Sequence, residues 1–113
     1  FLLEEVVLNY LTNAIHHASG EKRICLSIRV ENEKVRLGVY NTGKHLAEED
    51  LDKIWDSFYK VDKSRSRAYG GNGLGLAVVK AIMERHEGEY GAENFEDGVY
   101  FWVRLPIFKA NAL

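Results

Sequence analysis

Apolar residues follow a helical period at the start of this chain, switch to a strand period, and return to the strand period near the end. Positions 1–18, FLLEEVVLNYLTNAIHHA, form the helical stretch. At about 100° per residue, Leu3, Val7, Tyr10, Leu11, Ala14 and Ala18 share one side, and Glu5, Asn9, Asn13 and His16 the other. Ser19-Gly20 stops the helix. Ile24, Leu26, Ile28 and Val30 then alternate with Cys25, Ser27 and Arg29, and Val35, Leu37 and Val39 with Arg36, Gly38 and Tyr40. The polar link Glu31-Asn32-Glu33-Lys34 makes these two strands an antiparallel hairpin.

After Asn41-Thr42-Gly43, a short acidic helix is predicted over 47–56, with Leu46, Leu51, Ile54 and Trp55 as its apolar contacts. Residues 60–72, KVDKSRSRAYGGN, are polar and aperiodic, and a loop of that length inside a small domain is usually functional or disordered. A second helix, apolar on most sides and therefore buried, is predicted from Gly73 to His86. Two more strands follow, near 88–95 and 99–105, the last alternating Val99, Phe101, Val103 and Leu105 with Tyr100, Trp102 and Arg104. The order helix, hairpin, helix, loop, helix, hairpin predicts an α+β sandwich with helices on one face of a sheet.

Composition narrows the function classes. A length of 113 residues allows one domain, residues 1–113, and 46% apolar content suffices for a single core. The formal charge of −2 argues against a general nucleic-acid binder. One cysteine, Cys25, excludes an internal disulfide framework and a cysteine-rich zinc site. No apolar run approaches the roughly 20 residues that span a bilayer.

Three segments could carry chemistry. Asn9 and Asn13 stand four apart on the polar side of the first helix, where asparagine is a mediocre helix former. Solvent exposure accounts for such a pair, and so does a hard cation, which prefers oxygen ligands. Gly70-Gly71-Asn72-Gly73-Leu74-Gly75-Leu76 opens the second helix, and a glycine-rich turn at a helix N-terminus presents free N–H groups that suit phosphate. The segment follows no strand and lacks Gly-Lys-Ser/Thr, so it is neither a dinucleotide fingerprint nor a Walker loop; a plain glycine hinge is the other reading. The loop before it carries Lys60, Lys63, Arg65 and Arg67 against Asp62, a local charge of +3 in a chain of −2. That is either a solvated basic loop or an electrostatic clamp beside the helix terminus. The four histidines form no nucleophile pair by local signature, and Cys25 reads as inert.

Taken in order, these pieces resemble the ATP-binding catalytic domain of bacterial sensor histidine kinases, within the Bergerat-fold ATPase superfamily. LNYLTNAIHHA resembles the N box, VYNTGKHL the G1 box, IWDSFYKVDKSRSR the F box and GGNGLGLAVVK the G2 box. HEGEYGAEN and GVYFWVRLP are similar to the closing hairpin. The resemblance runs from about Glu5 to Pro106. It implies a two-layer α/β sandwich whose mixed, mostly antiparallel sheet is covered on one face by helices, with a flexible ATP lid.

The resemblance also implies roles. Asn13 would coordinate Mg²⁺, assisted by Asn9 one turn earlier. His16 takes the place of a basic residue near the phosphates, and His17 that of a residue packing by the adenine. Asn41 occupies the place of the adenine-specifying aspartate, Gly43 that of the first glycine behind the base, and Leu46 and Leu74 also fall within the ATP-binding set. Phe58 would anchor the start of the lid. Lys60 would reach the γ-phosphate, with Arg65 beside it on the lid, while Gly71, Gly73 and Gly75 would wrap the triphosphate. Asn9, Asn13 and Lys60 form the implied catalytic set. The implied cofactors are ATP and Mg²⁺. The implied reaction is donation of the γ-phosphoryl group to a histidine on a separate dimerisation domain, which passes it to a response regulator. No histidine here sits in the family's acceptor motif. By the same resemblance, the full-length protein is a homodimeric, membrane-anchored sensor whose catalytic domain is cytoplasmic and makes no direct membrane contact.

The chain departs from the family pattern at three positions. Asn41 replaces the G1 aspartate, so an uncharged amide oxygen would accept from the adenine amino group. His45 replaces the second glycine of that box and is expected to narrow the pocket mouth. Val99 stands where a hydroxyl residue is common. Asn41 in this box is similar to vancomycin-resistance-type sensors. Two other readings stand beside the kinase: a hydrolysing ATPase of the same superfamily, and a weak nucleotide-binding or docking module without phosphotransfer. The hydrolysing branch places a glutamate base where this chain has Asn9. Family members usually place a helix and a strand pairing ahead of the N box, so the domain is expected to be incomplete at its N-terminus and to expose a sheet edge.

Overall fold

A computed structural model of the chain describes residues 3–57, 59 and 75–107. It has helix α1 (Leu3–His17), strands β1 (Ile24–Glu31) and β2 (Lys34–Thr42), helix α2 (Gly75–Arg85), and strands β3 (Glu89–Phe95) and β4 (Gly98–Pro106). The four strands form one sheet in the order β1-β2-β4-β3, antiparallel at every pairing. The α+β layering follows the expectation; where a mixed sheet was expected, the described strands contain no parallel pair. β1–β2 and β3–β4 are hairpins, and the connection through α2 carries β3 past β4, so β2 and β3 run the same way without touching.

The first hairpin closes on Asn32 and Glu33, both with positive φ, which gives the two-residue turn matched to strand twist. α1 carries Glu4 and Glu5 in its first turn and His16 and His17 in its last, each where the helix dipole favours it. α2 ends at Arg85, and the Gly88 N–H returns to the Met83 carbonyl at 2.8 Å.

The core lies between the helices and the inner sheet face. Leu37 and Val39 of β2 and Val99, Phe101, Val103 and Leu105 of β4 meet Val6, Tyr10 and Ala14 of α1 and Leu76, Val79, Ile82 and Met83 of α2. Tyr10 packs against Phe101 at 5.6 Å between ring centroids and against Trp55 at 6.4 Å; Trp55 meets Tyr90 edge-on at 4.8 Å. The buried Tyr10 hydroxyl donates to the Trp102 carbonyl at 3.0 Å, which removes the cost of burying it, and burial raises its pKa well above the usual range.

Three elements differ from the sequence reading. The buried stripe of α1 is Val6, Tyr10, Asn13 and Ala14, rotated from the expected line, with Leu3, Val7 and Leu11 only partly covered. α1 packs on both the sheet and α2, so covered surface extends round to Asn13, which was assigned to the polar side. Residues 48–57 form consecutive turns, not a helix. Their bonds reach three residues back (Asp50 to Ala47, Leu51 to Glu48, Lys53 to Asp50, Asp56 to Lys53), and only Ile54 reaches four. The tighter winding turns Ile54 and Trp55 inward, and Asp50, itself buried, accepts a bond from the Tyr59 hydroxyl instead of facing solvent. Finally, α2 is covered on one side only: Ala81, Glu84 and Arg85 are exposed.

β1 is an edge strand whose inner face carries Leu26, Ile28 and Val30, all more than half exposed. Neither described helix reaches across them, because α1 and α2 lie over β2, β4 and β3.

Candidate functional site

The described site residues lie along α1, whose middle meets the start of α2 at Asn9 and Gly75 and whose end meets the turn after β2 at His17 and Gly43. Asn13 is 2% exposed, and both polar atoms of its carboxamide lack a hydrogen-bond partner among the described residues. Buried polar groups are almost always paired, so an amide without a partner among the described residues calls for one beyond them. Asn9, one turn earlier and half-buried, donates its amide to the Glu5 carbonyl at 2.7 Å, and its oxygen faces α2. That oxygen stands 3.0 Å from the position a Cβ on Gly75 would take. The tertiary fold therefore joins the asparagine helix to the glycine-rich segment, 66 positions along the chain from Asn9.

The strand end supplies the second orphan. Asn41 is fully buried; its amide nitrogen donates to the Thr42 carbonyl at 3.0 Å and its oxygen has no partner among the described residues. Asn41, Val99 and Asn94 lie in one cross-strand row on β2, β4 and β3, so the residue next to the orphaned oxygen is apolar Val99. Gly43 follows with φ of +155°, and a Cβ there would stand 3.0 Å from the His17 carbonyl oxygen. Both facts favour glycine, and both bring the turn after β2 against the end of α1. His17 is half-buried beside this turn; burial lowers its pKa, and a hydrogen bond with the Lys44 backbone partly opposes that.

Thr42 ties the junction together. Its hydroxyl donates to the Ser19 carbonyl at 2.9 Å and accepts from the Arg23 N–H at 2.9 Å. Its backbone pairs with Ser19 and Arg23 as well. Sequence reasoning treated Thr42 only as part of a turn. It also missed Asn94, whose amide accepts from the Leu46 N–H and donates to the Leu46 carbonyl, both at 2.9 Å. Neither residue had a local signature, since their partners lie on other elements.

Other expectations divide. Leu46 is buried at the turn's far end, as a pocket wall requires. His16 is exposed, although it stands only one turn beyond the buried Asn13 on α1. The His45 ring lies 2.8 Å from the Glu96 carbonyl, turned toward the β3–β4 hairpin, whereas it was expected to narrow the pocket mouth. Phe58, Lys60, Arg65, Gly71, Gly73 and Leu74 lie outside the described residues. A trough of about 410 Å³ on the outer sheet face, lined by Arg29, Arg36, Tyr40 and Tyr100 among others, shares no residue with the site.

Residues 1–109 match the family described as histidine kinase-, DNA gyrase B-, and HSP90-like ATPase. The chain belongs to this family. Membership of this ATPase family brings ATP as the nucleotide, and the two orphaned amides stand in the segments that resemble its N and G1 boxes.

Among its relatives, the sensor protein VanSB of Enterococcus faecalis is 35% identical over 105 residues, covering 93% of this chain and 24% of VanSB. The catalytic domain of histidine kinase ThkA superposes with a TM-score of 0.77 at 31% identity, covering 92% of this chain and 65% of that one. ThkA has also been solved in complex with the response regulator TrrA (TM-score 0.75, 30% identity, 92% of this chain and 28% of that one). Full-length ShkA, solved in complex with AMPPNP, superposes with a TM-score of 0.79 at 26% identity, covering 92% of this chain and 21% of that one. The chain thus spans about a quarter of VanSB and about two thirds of the ThkA catalytic domain.

Proposed function

We propose that this domain binds Mg-ATP at the junction of α1, the turn after β2 and the start of α2, and donates the γ-phosphoryl group to a histidine on a separate dimerisation domain of a sensor kinase. The pair of orphaned amide oxygens carries the reading. In this reading the Asn41 oxygen accepts from an exocyclic amino group such as that of adenine, which its burial without a partner among the described residues supports. The Asn13 oxygen is an uncharged hard donor, which suits Mg²⁺. When bound there, the cation offsets the negative charge of the phosphate oxygens.

Phosphoryl transfer asks the protein for positioning and charge neutralisation more than for covalent chemistry. Asn13 would hold the cation, the start of α2 would supply N–H groups for phosphate, and Lys60 would supply positive charge for the γ-phosphate. Asn9 favours transfer over hydrolysis, because a carboxamide cannot take a proton from water and its nitrogen is engaged with Glu5. The phosphorylated histidine then serves a response regulator, a relation supported by the ThkA–TrrA complex. The site residues and the membrane anchoring of the full-length protein belong to this proposal. Among the described residues no helix is long and apolar enough to cross a membrane.

The test is calorimetric titration of the chain with ATP and ADP, with and without Mg²⁺, followed by transfer from labelled ATP to an added dimerisation domain. Binding that requires Asn13 and transfer that requires Lys60 are expected. Absence of binding at millimolar nucleotide overturns the reading in favour of a docking module. Phosphate release that outpaces transfer to the dimerisation domain favours a hydrolysing ATPase.

A further inference from the structure

The segment from Tyr40 to Leu46 is held from outside by the β3–β4 hairpin. The Gly43 N–H donates to the Asp97 carbonyl at 2.9 Å, the His45 ring bonds the Glu96 carbonyl at 2.8 Å, and the Tyr40 hydroxyl donates to the Asp97 carboxylate. Asn94 makes the innermost of these contacts and the only paired one among them. Its side chain accepts from the N–H and donates to the carbonyl of Leu46, both at 2.9 Å, across 48 positions of sequence. A carboxamide that satisfies both backbone groups of one residue does what a neighbouring strand would do. Residues 44–47 are in no regular element, so beside its packing in the core Leu46 itself is tied to the sheet by the Asn94 pair of hydrogen bonds.

We propose that Asn94 is a positioning residue for the nucleotide base, setting the Leu46 wall over the floor that carries Asn41. The inference rests on the nucleotide site proposed above. Asn94 lies in the same cross-strand row as Asn41, with Val99 between them. The clamp therefore fixes the distance between a wall residue and the base acceptor within one row of the sheet. Loss of the clamp leaves the Leu46 N–H and carbonyl, both partly buried, without partners, and the turn relaxes away from the sheet. The effect falls on the base side of the site, because the described phosphate and cation residues, Asn9, Asn13 and Gly75, sit on α1 and α2.

The experiment titrates ADP, ATP and GTP into the unaltered chain, Asn94→Ala and Asn94→Asp, with amide hydrogen exchange at Leu46 followed in parallel. Asn94→Ala should lose affinity for ADP and ATP alike, by about tenfold, as two hydrogen bonds of ordinary net worth allow. Its preference for ATP over GTP should shrink, and the Leu46 amide should lose protection. Asn94→Asp keeps the acceptor for the Leu46 N–H but sets an oxygen against its carbonyl, so it should retain protection and fall between the other two. A merely structural role lowers the melting temperature and weakens ATP and GTP by the same factor; that outcome overturns the proposal. Unchanged ADP affinity in both variants also overturns it, while the nucleotide site stands. If the unaltered chain binds no nucleotide, the site itself fails and the role of Asn94 falls with it.

Discussion

The carboxamide oxygen of Asn9 stands 3.0 Å from where a Cβ on Gly75 would lie, so the first turn of α2 is seated directly on the asparagine side of α1. A methyl group at position 75 must push Asn9, whose nitrogen is tethered to the Glu5 carbonyl. Alanine is also the better helix former, by about 1 kcal/mol. Gly75→Ala is therefore expected to keep or raise thermal stability while weakening Mg-ATP binding several-fold. A melting curve and a titration on the same sample check both halves, and unchanged affinity removes Gly75 from the site.

Asn13 holds two orphaned polar atoms in a buried position. Asn13→Ala removes them, so the nucleotide-free chain should become no less stable, and up to about 1–3 kcal/mol more stable. Mg-ATP binding should fall below detection. Denaturant unfolding with and without Mg-ATP separates the effects, because only the unaltered chain should gain stability from the ligand. A large loss of stability without ligand would mean that Asn13 has a structural partner.

Asn41→Asp converts a buried amide into a buried carboxyl and sets an oxygen against the Thr42 carbonyl, where the Asn41 nitrogen now donates at 3.0 Å. Folding should be weakened by roughly 1–3 kcal/mol. A charged acceptor makes the stronger bond to an amino group, so adenine nucleotides should bind more tightly once the protein is folded. Calorimetry with ADP at a temperature well below the melting midpoint tests this, and weaker binding there refutes Asn41 as the base acceptor.

His17 has its pKa lowered from 6.5, first by burial. Between 6.5 and its lower folded-state pKa, the unfolded chain binds more protons than the folded one, so stability rises with pH across that window. Its contribution is fully present above pH 6.5 and is lost as the pH falls through the folded-state value. His17→Gln should flatten that part of the profile, measured by denaturant unfolding at closely spaced pH values. A profile unchanged by the substitution assigns the slope to other groups.

Much of the fold was legible from local patterns. Alternation at Val35, Leu37 and Val39 and again at Val99, Phe101 and Val103 placed two strands in the core, and the structure pairs them with each other. The motifs around Asn13, Asn41 and Gly75 marked the proposed site from resemblance alone. Local pattern failed at residues 48–57, where spacing suited a helix but the buried Asp50 and the inward Trp55 required tighter turns. It failed also at Asn13, because a residue's side of a helix predicts burial only when one surface covers that helix.

The sequence by itself determined the order of elements, the single amphipathic helix at the start, the hairpins and the chemical types available at each box. Period and turn chemistry are properties of a few neighbouring residues, so they can be read without knowing what lies across the fold. Only the tertiary structure decided that α1 would be covered by both the sheet and α2, which buries Asn13. It also decided that Asn94 would clamp Leu46 and that Thr42 would bind the segment after α1 to the end of β2. Those contacts join positions 19 to 66 apart, and their partners become neighbours only after the chain has folded around a common core.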